Sequence, residues 1–537
     1  MEKPAEKIYS ILADLAKQMD AAGIEFRVER PKDSSHGDFS SNIALALSKK
    51  LNKNPLDLAS EIAKKIKEQE FEKVEAVKPG FINFYFSKKY LQNQVQSIIE
   101  KGSSYGSSDL GKGKKASVEF VSANPTGPLH IGNARGGPLG DAIANVLAKV
   151  GYKVVREYLH NDVGGQVERL GEAIYFTLHP DQKGKDYEMQ YQGAYVKELA
   201  EQIEEELQDK DMDLSEEKFA EEAGKIAVSL MLSEVLKDCE DMGIKFDKVT
   251  KESDLRREVP QALEKIKKSL KEKEGALWFT PNDEFLKDRE TVVKKSDGNY
   301  TYFASDIAYH LQKMSQNDIV VDILGANHSG HEPRVRAVVK ALGFDPDNLK
   351  VILYQWIRLK RGSEIVKMSK RAGTFVTARE VLDEVGKDAF RFFLLMQNSS
   401  THMDFDLELA KKKASDNPVF YVQYACTRIA SIFEKANVKN FNGADFSLLV
   451  EKEETDLIRK LTQFPDLVLD VSKSFYINLL ANYALDLASL FHKLYEKHQV
   501  VSKDENLTNS RLALLYATQI TLKNTLDLLG VSAPEKM

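Results

Sequence analysis

The sequence predicts three structural units: a small α+β unit, a central α/β unit built on a mostly parallel sheet, and an all-α helical bundle. Three observations predict this fold class. Val/Ile-rich runs alternate with amphipathic stretches only in the middle of the chain. A link rich in Gly, Ser and Lys precedes that region, and after residue 396 the apolar residues recur at helical spacing alone. The predicted units are residues 1–112, 113–395 and 396–537.

The N-terminal unit combines helical and strand signals. Apolar residues recur at helical spacing over residues 8–15 and again over 43–51. The run PGFINFYFS (79–87) alternates its side chains as a half-buried strand does. The segment KGSSYGSSDLGKGKK (101–115) is the link that we expect to separate this unit from the rest.

The central unit carries four Val/Ile-rich strand signals, which are KASVEFVS, YKVVREYL, DIVVDILG and LKVILYQWIRL. Amphipathic stretches lie between them, which is the pattern of parallel strands joined by helices. Between about 181 and 290 the sequence becomes charged and helical. We therefore expect a helical insertion on the rim of the sheet, with its charges on solvated helix faces.

The C-terminal unit reads as several long antiparallel helices. Cys426 lies inside one of them, where we expect it to be a core residue. The other cysteine, Cys239, is far away in sequence, so we expect neither a disulfide framework nor a structural zinc site. Such sparse cysteine use fits a reducing compartment.

Composition excludes several classes of protein. The net charge is −6, which disfavours a protein held to nucleic acid by bulk charge alone, although 76 Lys and Arg leave room for a local basic groove. No stretch approaches the roughly 18 uninterrupted apolar residues of a membrane span. The N-terminal residues also lack the apolar core of a secretory signal. We expect a cytoplasmic protein without a transmembrane helix.

The segment SANPTGPLHIGNARGG (122–137) follows directly after an apolar strand. Pro125 and Pro128 forbid an immediate helix, and Gly127 and Gly132 remove side chains where a flat or anionic ligand could touch the backbone. The helix that follows presents free N–H groups and the positive end of its dipole, which suit a chain of phosphates.

Two side chains of this segment could bind phosphate oxygens. The imidazole of His130 can donate a hydrogen bond, and Asn133 can donate from its amide without adding charge. The alternative is a tight turn with a helix cap, and a glycine-rich turn alone does not decide between the two.

The segment EIVKMSKRAGTFVT (364–377) lies far downstream and is rich in cations. Lys367, Lys370 and Arg371 stand within five residues of one another, shortly before Gly373. Such a loop could stabilise the charge that builds up on a leaving pyrophosphate. Taken alone, it could equally be a solvated turn.

At these two segments the chain resembles the class I aminoacyl-tRNA synthetases. HIGN (130–133) is similar to their HIGH motif and KMSKR (367–371) to their KMSKS loop, each with its last residue changed. The resemblance implies a Rossmann-type catalytic domain, split by insertions, that activates an amino acid with ATP and Mg²⁺ and then acylates tRNA.

The resemblance also implies site residues. It assigns catalytic roles to His130, Asn133, Lys367 and Lys370. It assigns ATP binding to Ala123, Asn124, Pro125, Thr126, Gly127, Pro128, Leu129, His130, Ile131, Gly132, Asn133, His328, Met368, Ser369 and Lys370. For His328 a purely structural role is the alternative, and His328 with His331 lacks the third ligand that a metal site needs.

Within this class the chain resembles the arginyl-tRNA synthetases over nearly its whole length. The similar segments include YLHNDVGGQ (158–166), YQGAYV (191–196) and SDGNYTYFASDIAYH (296–310). The resemblance implies ligation of L-arginine to the 3′-terminal adenosine of tRNA(Arg) by a monomer, with tRNA needed even for the first step. It further implies an additional tRNA-contacting N-terminal domain and an anticodon-binding helical domain.

A guanidinium ligand favours planar, bidentate carboxylates. Glu119 and Asp306 are the candidates, with Tyr302 covering the ligand. Asn124 and Asn161 are candidates for its α-amino and carboxylate ends. The alternatives are a solvent-facing strand residue for Glu119 and a helix cap for Asp306.

Three residues of the helical domain are candidates for stacking and pairing with anticodon bases: Tyr421, Tyr424 and Arg428. The alternative is that the tyrosines belong to the helix core. Two rival functions also stay open, a small-molecule nucleotidyltransferase and a non-catalytic RNA-binding relative. The first would lack the long helical domain, and the second would be expected to lose His130 or the lysine loop.

Overall fold

The computed structural model of the chain describes residues 4–31, 33–182, 188–208, 215–281, 285–286, 290–366, 376–437 and 443–537. In this part of the chain no helix is both long enough and apolar enough to cross a membrane.

The N-terminal unit packs helices on an antiparallel sheet with the strand order β1-β2-β4-β3. Its elements are α1 (Pro4–Gln18), β1 (Val28–Glu29), β2 (Phe39–Ser41), α2 (Ile43–Leu51), α3 (Pro55–Lys65), β3 (Phe71–Val77), β4 (Phe81–Phe86) and α4 (Lys88–Lys101). The strand predicted for PGFINFYFS forms as β4, where Ile82, Phe84 and Phe86 are buried on one face and Asn83 is buried on the other. The three apolar side chains belong to the core that the helices cover.

The middle of the chain alternates strands and helices. Its elements are β5 (Lys115–Glu119), α5 (Ile131–Ala134), α6 (Gly136–Lys149), β6 (Lys153–His160), α7 (Gly165–Leu178), α8 (Ala194–Gln208), α9 (Glu216–Asp241), β7 (Lys248–Lys251), α10 (Glu252–Lys265), β8 (Leu270–Lys273), β9 (Ala276–Phe279), β10 (Thr291–Lys294), α11 (Tyr302–Gln316), β11 (Ile319–Gly325), α12 (Glu332–Ala341), β12 (Leu349–Tyr354), β13 (Ile357–Arg361), β14 (Glu364–Ile365), α13 (Ala378–Val385), α14 (Lys387–Leu395), β15 (Met403–Asp406) and α15 (Leu407–Lys411).

Five of these strands form a parallel sheet in the order β12-β11-β5-β6-β7. The chain winds outward from β5 through β6 to β7 and then returns to β11 on the other side of β5. The winding therefore reverses between β5 and β11, which is where open α/β sheets bind their ligands. Three predicted strands are confirmed as β5, β6 and β11. The fourth run splits into β12 and β13, which belong to different sheets.

The charged region from about 181 to 290, which we expected to be helical, differs from that expectation in two places. Helices α8 and α9 form as predicted and pack with α7 around their own core. However, β7 is an edge strand of the parallel sheet, and β8, β9 and β10 form a separate antiparallel sheet. The prediction of helix was wrong at β8 for a physical reason. This strand is LKEK and mostly exposed, so its charges resemble those of a solvated helix face.

Strand β15 lies beyond residue 396, where we expected helices only. It pairs in parallel with β13, and its Met403 and Phe405 are buried. Four residues are too few to show a reliable alternation in the sequence. The helical bundle begins after it and comprises α16 (Pro418–Ala436), α17 (Lys452–Leu461), α18 (Phe464–Ser474), α19 (Asn478–Lys497) and α20 (Glu505–Leu529).

Candidate active site

The chain leaves the centre of the sheet at a strained turn. Val121 and Ser122, directly after β5, have φ values of 67° and 37°, which non-glycine residues rarely adopt. The Ser122 hydroxyl stabilises the turn, because it accepts from Leu159 N (3.0 Å) and donates to the Glu119 carboxylate (3.0 Å). We call residues 121–137, from this turn into α6, the corner.

His130 caps α5 within the corner. Its Nδ1 accepts from Gly132 N at 2.8 Å, so the proton of the neutral ring lies on Nε2. A Cβ at position 132 would lie 2.9 Å from this Nδ1, so a larger residue there would displace the imidazole ring. The helix cap and the phosphate donor, which the sequence left as alternatives, are thus compatible, since each uses a different ring nitrogen.

The other corner residues divide into shaping and accessible groups. Five of the predicted ATP contacts in the corner are buried: Ala123, Pro125, Leu129, Ile131 and Gly132. Six are exposed or half-exposed: Asn124, Thr126, Gly127, Pro128, His130 and Asn133. The buried members shape the turn, which leaves contact with a ligand to the others and to the backbone.

Tyr195, on helix α8, covers the outer side of the corner. Its hydroxyl donates to Thr126 O at 3.2 Å, and its ring approaches Gly127 so closely that a Cβ there would lie 3.3 Å from it. The insertion helices therefore contact the corner directly.

The cationic loop connects to the corner at its carboxyl flank. Lys367, Met368, Ser369, Lys370 and Arg371 lie outside the described residues. The residues that follow them are hydrogen-bonded to the corner, because Ile131 N donates to Val376 O (3.2 Å) and Ala378 N donates to Leu129 O (2.7 Å). The two motifs, 235 or so residues apart in sequence, are therefore joined through their flanks.

Three carboxylates stand side by side where the parallel strands end. Glu157 of β6 pairs in register with Glu119 of β5, which pairs in register with Asp322 of β11. The Lys313 ammonium, fully buried on α11, donates to Glu119 Oε2 at 2.7 Å and to Asp322 Oδ1 at 2.6 Å. Neither Lys313 nor Asp322 was predicted from the sequence, since strand register brings Asp322 beside Glu119 and the packing of α11 on the sheet brings Lys313 to both.

Asp306 is buried beside this row and lacks a hydrogen bond on one oxygen. Among the described residues its Oδ2 has no hydrogen-bond partner, and His331 Nε2 lies 3.5 Å from it. Burial lowers the pKa of His331 to about 4, so its ring is neutral near pH 7. Burial, together with the charges of Glu119 and Glu252, raises the pKa of Asp306 well above its usual value. A cationic ligand would stabilise the charged form of such a buried carboxyl group.

Glu252, the first residue of α10, is a third buried acid at this place. It accepts from Arg256 Nη2 and from Ser305 Oγ, both at 3.4 Å, and burial raises its pKa. The Asn161 amide lies against the Glu252 carboxylate, and 3.3 Å from the side chain of Asn124. We call Glu119, Asp306 and Glu252 the acidic pocket. Glu252 was not predicted as a site residue because it lies in the charged stretch that was expected to be a solvated insertion.

Tyr302 lies one helical turn before Asp306 on α11 and is half-exposed. The charges of Asp306, Glu119 and Glu252 all act on its hydroxyl, which places it over the acidic pocket. The candidates Glu119, Asp306, Tyr302, Asn124 and Asn161 therefore lie around one space. Neither alternative for the two acids holds, since Glu119 is buried and Asp306 lies inside α11 rather than at its cap.

His328 stands apart from this cluster. It is exposed and ends a short 3₁₀ turn, Ala326–His328, that follows β11. It therefore lies at the ligand-binding edge of the sheet, although no described contact joins it to the corner. Among the described residues there is no group of three His, Cys, Asp or Glu side chains placed to hold a metal ion.

Comparison with known proteins identifies the family. Family models match along the chain: the arginyl-tRNA synthetase N-terminal domain at 4–86, the class I (R) tRNA synthetase catalytic domain at 94–429, and the DALR anticodon binding domain at 422–537. A curated arginine–tRNA ligase of Listeria monocytogenes serotype 4a is 42% identical over 96% of this chain and 94% of its own. The chain belongs to the arginyl-tRNA synthetase family.

Solved structures of the family share the fold. A putative arginyl-tRNA synthetase from Campylobacter jejuni has a TM-score of 0.75 and 31% identity, and the match covers 84% of this chain and all of that one. The arginyl-tRNA synthetase of Thermus thermophilus has a TM-score of 0.81 over 99% of this chain and all of that one. At 23% identity the Thermus match supports the fold alone.

The helical domain of this synthetase carries an aromatic cluster on α16 and α19. The rings of Tyr421 and Tyr424 lie 4.8 and 5.7 Å from that of His492. The Arg428 guanidinium lies over the rings of Tyr424 (5.4 Å) and Tyr495 (5.0 Å). Tyr424 is exposed, whereas Tyr421 is half-buried, so the alternative of a core tyrosine fits Tyr421 better than Tyr424.

An open groove of about 1350 Å³ runs beside this cluster, between α14, α16 and the C-terminus. Its lining combines aromatic rings with lysines, among them Phe420, Tyr424, Lys412, Lys413 and Lys536. Stackable rings next to cationic side chains are the combination that single-stranded RNA requires.

Proposed function

We propose that the acidic pocket and the corner together form arginyl-adenylate from L-arginine and ATP. The enzyme is an arginine–tRNA ligase, so the arginyl group then passes to the 3′-terminal adenosine of tRNA(Arg), with release of AMP and pyrophosphate. One observation supports the site assignment: the buried Asp306 carboxyl group, which lies among further acids, has an oxygen with no hydrogen-bond partner in the part of the chain that the structure describes. A guanidinium, which is planar and always charged, satisfies such a group.

The guanidinium of arginine lies between Asp306 and Glu119, with Tyr302 over it and Glu252 behind. Asn124 and Asn161 hold the α-amino and carboxylate ends. This placement turns the arginine carboxylate toward the corner, because both asparagines lie on the loops that leave β5 and β6.

ATP lies over the corner, with its phosphates at Gly127 and Gly132 and its adenosine near His328. His130 Nε2 and Asn133 donate to phosphate oxygens, and Lys370 and Lys367 neutralise the leaving pyrophosphate, with Met368 and Ser369 in the same loop. The arginine carboxylate oxygen attacks the α-phosphorus, and the bond to pyrophosphate breaks. Mg²⁺, which would enter with ATP rather than on a site built from protein side chains, would supply further positive charge to the phosphates. Positioning and electrostatics supply the acceleration, with no covalent enzyme intermediate.

The tRNA binds through Tyr421, Tyr424 and Arg428 at its anticodon and through the N-terminal domain at its body. We propose that bound tRNA is required for adenylate formation. We also place the enzyme in the cytoplasm as a monomer, where the buried thiols of Cys239 and Cys426 stay reduced. Sedimentation of the purified enzyme measures its mass in solution.

Arginine-dependent exchange between ATP and pyrophosphate tests the proposal. We expect exchange with L-arginine and tRNA, and none with arginine alone. Lys370→Ala should abolish exchange while the enzyme stays folded, whereas Lys114→Ala, at an exposed lysine of the link, should leave it unchanged. Near-normal exchange by Lys370→Ala would contradict the mechanism, and exchange without tRNA would contradict the tRNA requirement.

A further inference from the structure

Lys313 is a completely buried cation in the wall of the acidic pocket. Its ammonium lies between Glu119 Oε2 (2.7 Å) and Asp322 Oδ1 (2.6 Å), and 4.1 Å from the centre of the Tyr309 ring. It thus bridges β5 and β11, the two strands between which the winding of the sheet reverses.

A buried ammonium is unfavourable unless opposite charges and hydrogen bonds compensate it. Burial alone would lower the pKa of Lys313, but the adjacent charges of Asp322 and Glu119 outweigh burial and raise it above its ordinary value. Lys313 is therefore a permanent positive charge beneath the pocket.

The groups around Glu119 are otherwise mostly acidic. They are Asp306, Tyr309 and Lys313 of α11, Asp322 of β11, Glu157 of β6 and Glu252 of α10, with His310 and His331 beside Asp322 and Asp306. Lys313 is the cation that hydrogen-bonds Glu119. Without it, Glu119 would be a buried carboxylate facing other carboxylates, and such a group takes up a proton rather than stay charged.

We propose that Lys313 is a positioning residue for arginine recognition. It holds the Glu119 carboxylate charged and in a fixed orientation, so that the oxygen lone pairs not used by Lys313 and Ser122 point to the guanidinium. The proposal rests on the arginine pocket proposed above. It assigns to Lys313 an effect on arginine binding, exerted through Glu119, with no contact to ATP or to the reacting atoms.

Two substitutions alter the bridge from Glu119 through Lys313 to Asp322 at different contacts. Lys313→Met removes the ammonium from Glu119, whereas Asp322→Asn leaves Lys313 bonded to Glu119. We expect Lys313→Met to raise the KM for arginine by about tenfold or more at pH 7, with kcat and the KM for ATP within about threefold. Asp322→Asn should leave the KM for arginine within about threefold of wild type.

The pH profile supplies a second readout. The ratio of the arginine KM of Lys313→Met to that of wild type should fall as pH rises, because higher pH favours the charged form of a buried carboxyl group that has lost its cation. The same ratio for Asp322→Asn should stay flat. A merely structural role for Lys313 predicts no such slope, so a flat ratio for Lys313→Met overturns the proposal.

Lys313→Met leaves Asp322 buried without its cation, which can prevent folding. The double variant Lys313→Met/Asp322→Asn no longer has an uncompensated charge at position 322. Glu119 still loses the ammonium group that donates to it. The double variant should show the same rise in the KM for arginine, and a wild-type KM would overturn the proposal. Circular dichroism confirms folding in each case.

Glu119→Gln separates this proposal from the assignment of the pocket itself. If the pocket is assigned correctly, Glu119→Gln raises the KM for arginine, and adding Lys313→Met to it raises the KM little further, since both act on one group. An unchanged KM in Glu119→Gln contradicts the pocket. A raised KM in Glu119→Gln together with an unchanged KM in Lys313→Met overturns only the role of Lys313.

Discussion

The corner presents neutral polar groups and glycine backbone, whereas the acidic pocket beside it contains buried carboxyl groups. His130 Nδ1 accepts from Gly132 N, so the donor of the neutral ring is Nε2. In the pocket, Asp306 and Glu119 are buried next to a buried cation, Lys313. The difference fits the ligands that we propose, because the phosphates of ATP would be balanced by Mg²⁺ and the cationic loop, while a guanidinium needs its counter-charge from buried carboxylates.

The two regions also differ in how they are assembled. The corner is one continuous segment, so all of its polar groups come from neighbouring residues of the sequence. The pocket takes Glu119 from β5, Glu252 from the start of α10 and Asp306 from α11. Damage to the pocket should therefore affect arginine alone, and damage to the corner should affect the chemical step with both substrates bound.

The largest effect is expected from Asp306→Asn. Replacement of the buried carboxylate by an amide removes the charge that a guanidinium needs, so kcat/KM for arginine should fall by about a thousandfold. The KM for ATP should stay within about threefold. Asp318→Asn is the matched control, because Asp318 lies at the opposite end of the sheet, where it accepts from Lys115 N. Equal losses for arginine and ATP would show that the pocket is not specific to arginine.

The next largest effect is expected at the corner, from His130→Asn. An asparagine oxygen can still cap the N–H of Gly132, but the donor at the ring Nε2 is lost. We expect kcat to fall by about a hundredfold, while the KM for arginine and the melting temperature stay close to wild type. His498→Ala, in the helical domain, is the control. A variant with normal kcat would leave His130 with a capping role only.

Sequence and structure agree best where the site is continuous in the chain. The corner was predictable, because a strand, two prolines, spaced glycines and a helix follow one another within residues 116–149. The backbone strain of the corner was not predictable, since Val121 and Ser122 are residue types that rarely adopt a positive φ. The roles of Asp306 and Tyr302 came from family resemblance, since an acid within a helix has many ordinary explanations.

The missed residues share one physical reason. Lys313 reads as a solvated helix residue in the sequence, because a lysine is almost never fully buried unless it is paired. Its pairing depends on the packing of α11 against the sheet and on the register of β5 against β11, neither of which a local pattern specifies. Glu252 was not predicted for a related reason. It directly follows β7, and only the assignment of β7 as a strand of the parallel sheet places this acid at the edge where the strands end.

A smaller effect is expected on the number of protons released when a ligand binds, and it should differ between the acidic pocket and the corner. Asp306 has a raised pKa in the free enzyme, so it holds a proton up to a higher pH than an ordinary aspartate. A bound guanidinium favours the charged form, so arginine binding should release protons. The affinity for arginine should therefore increase with pH, by at most about tenfold per unit per proton, until the pH exceeds that raised pKa.

Isothermal titration calorimetry in buffers of different ionisation enthalpy measures these protons. Asp306→Asn should release fewer of them. Binding of ATP, which involves the neutral donors of the corner, should show no corresponding release from this carboxyl. Proton uptake on arginine binding would contradict a protonated Asp306 in the free enzyme.

The smallest effect is expected from Tyr195→Phe, which tests whether the corner is rigid because of its own backbone or because of its neighbours. The substitution removes only the hydroxyl that donates to Thr126 O and keeps the ring against Gly127. Loss of one such hydrogen bond is worth about 1 kcal/mol, so kcat should fall by about three- to sixfold if α8 holds the turn in place. Tyr191→Phe, on the same insertion, is the control. If Tyr195→Phe has wild-type kcat in pyrophosphate exchange, the strained turn and the cap at His130 suffice to hold the corner, and the insertion contributes nothing to its geometry.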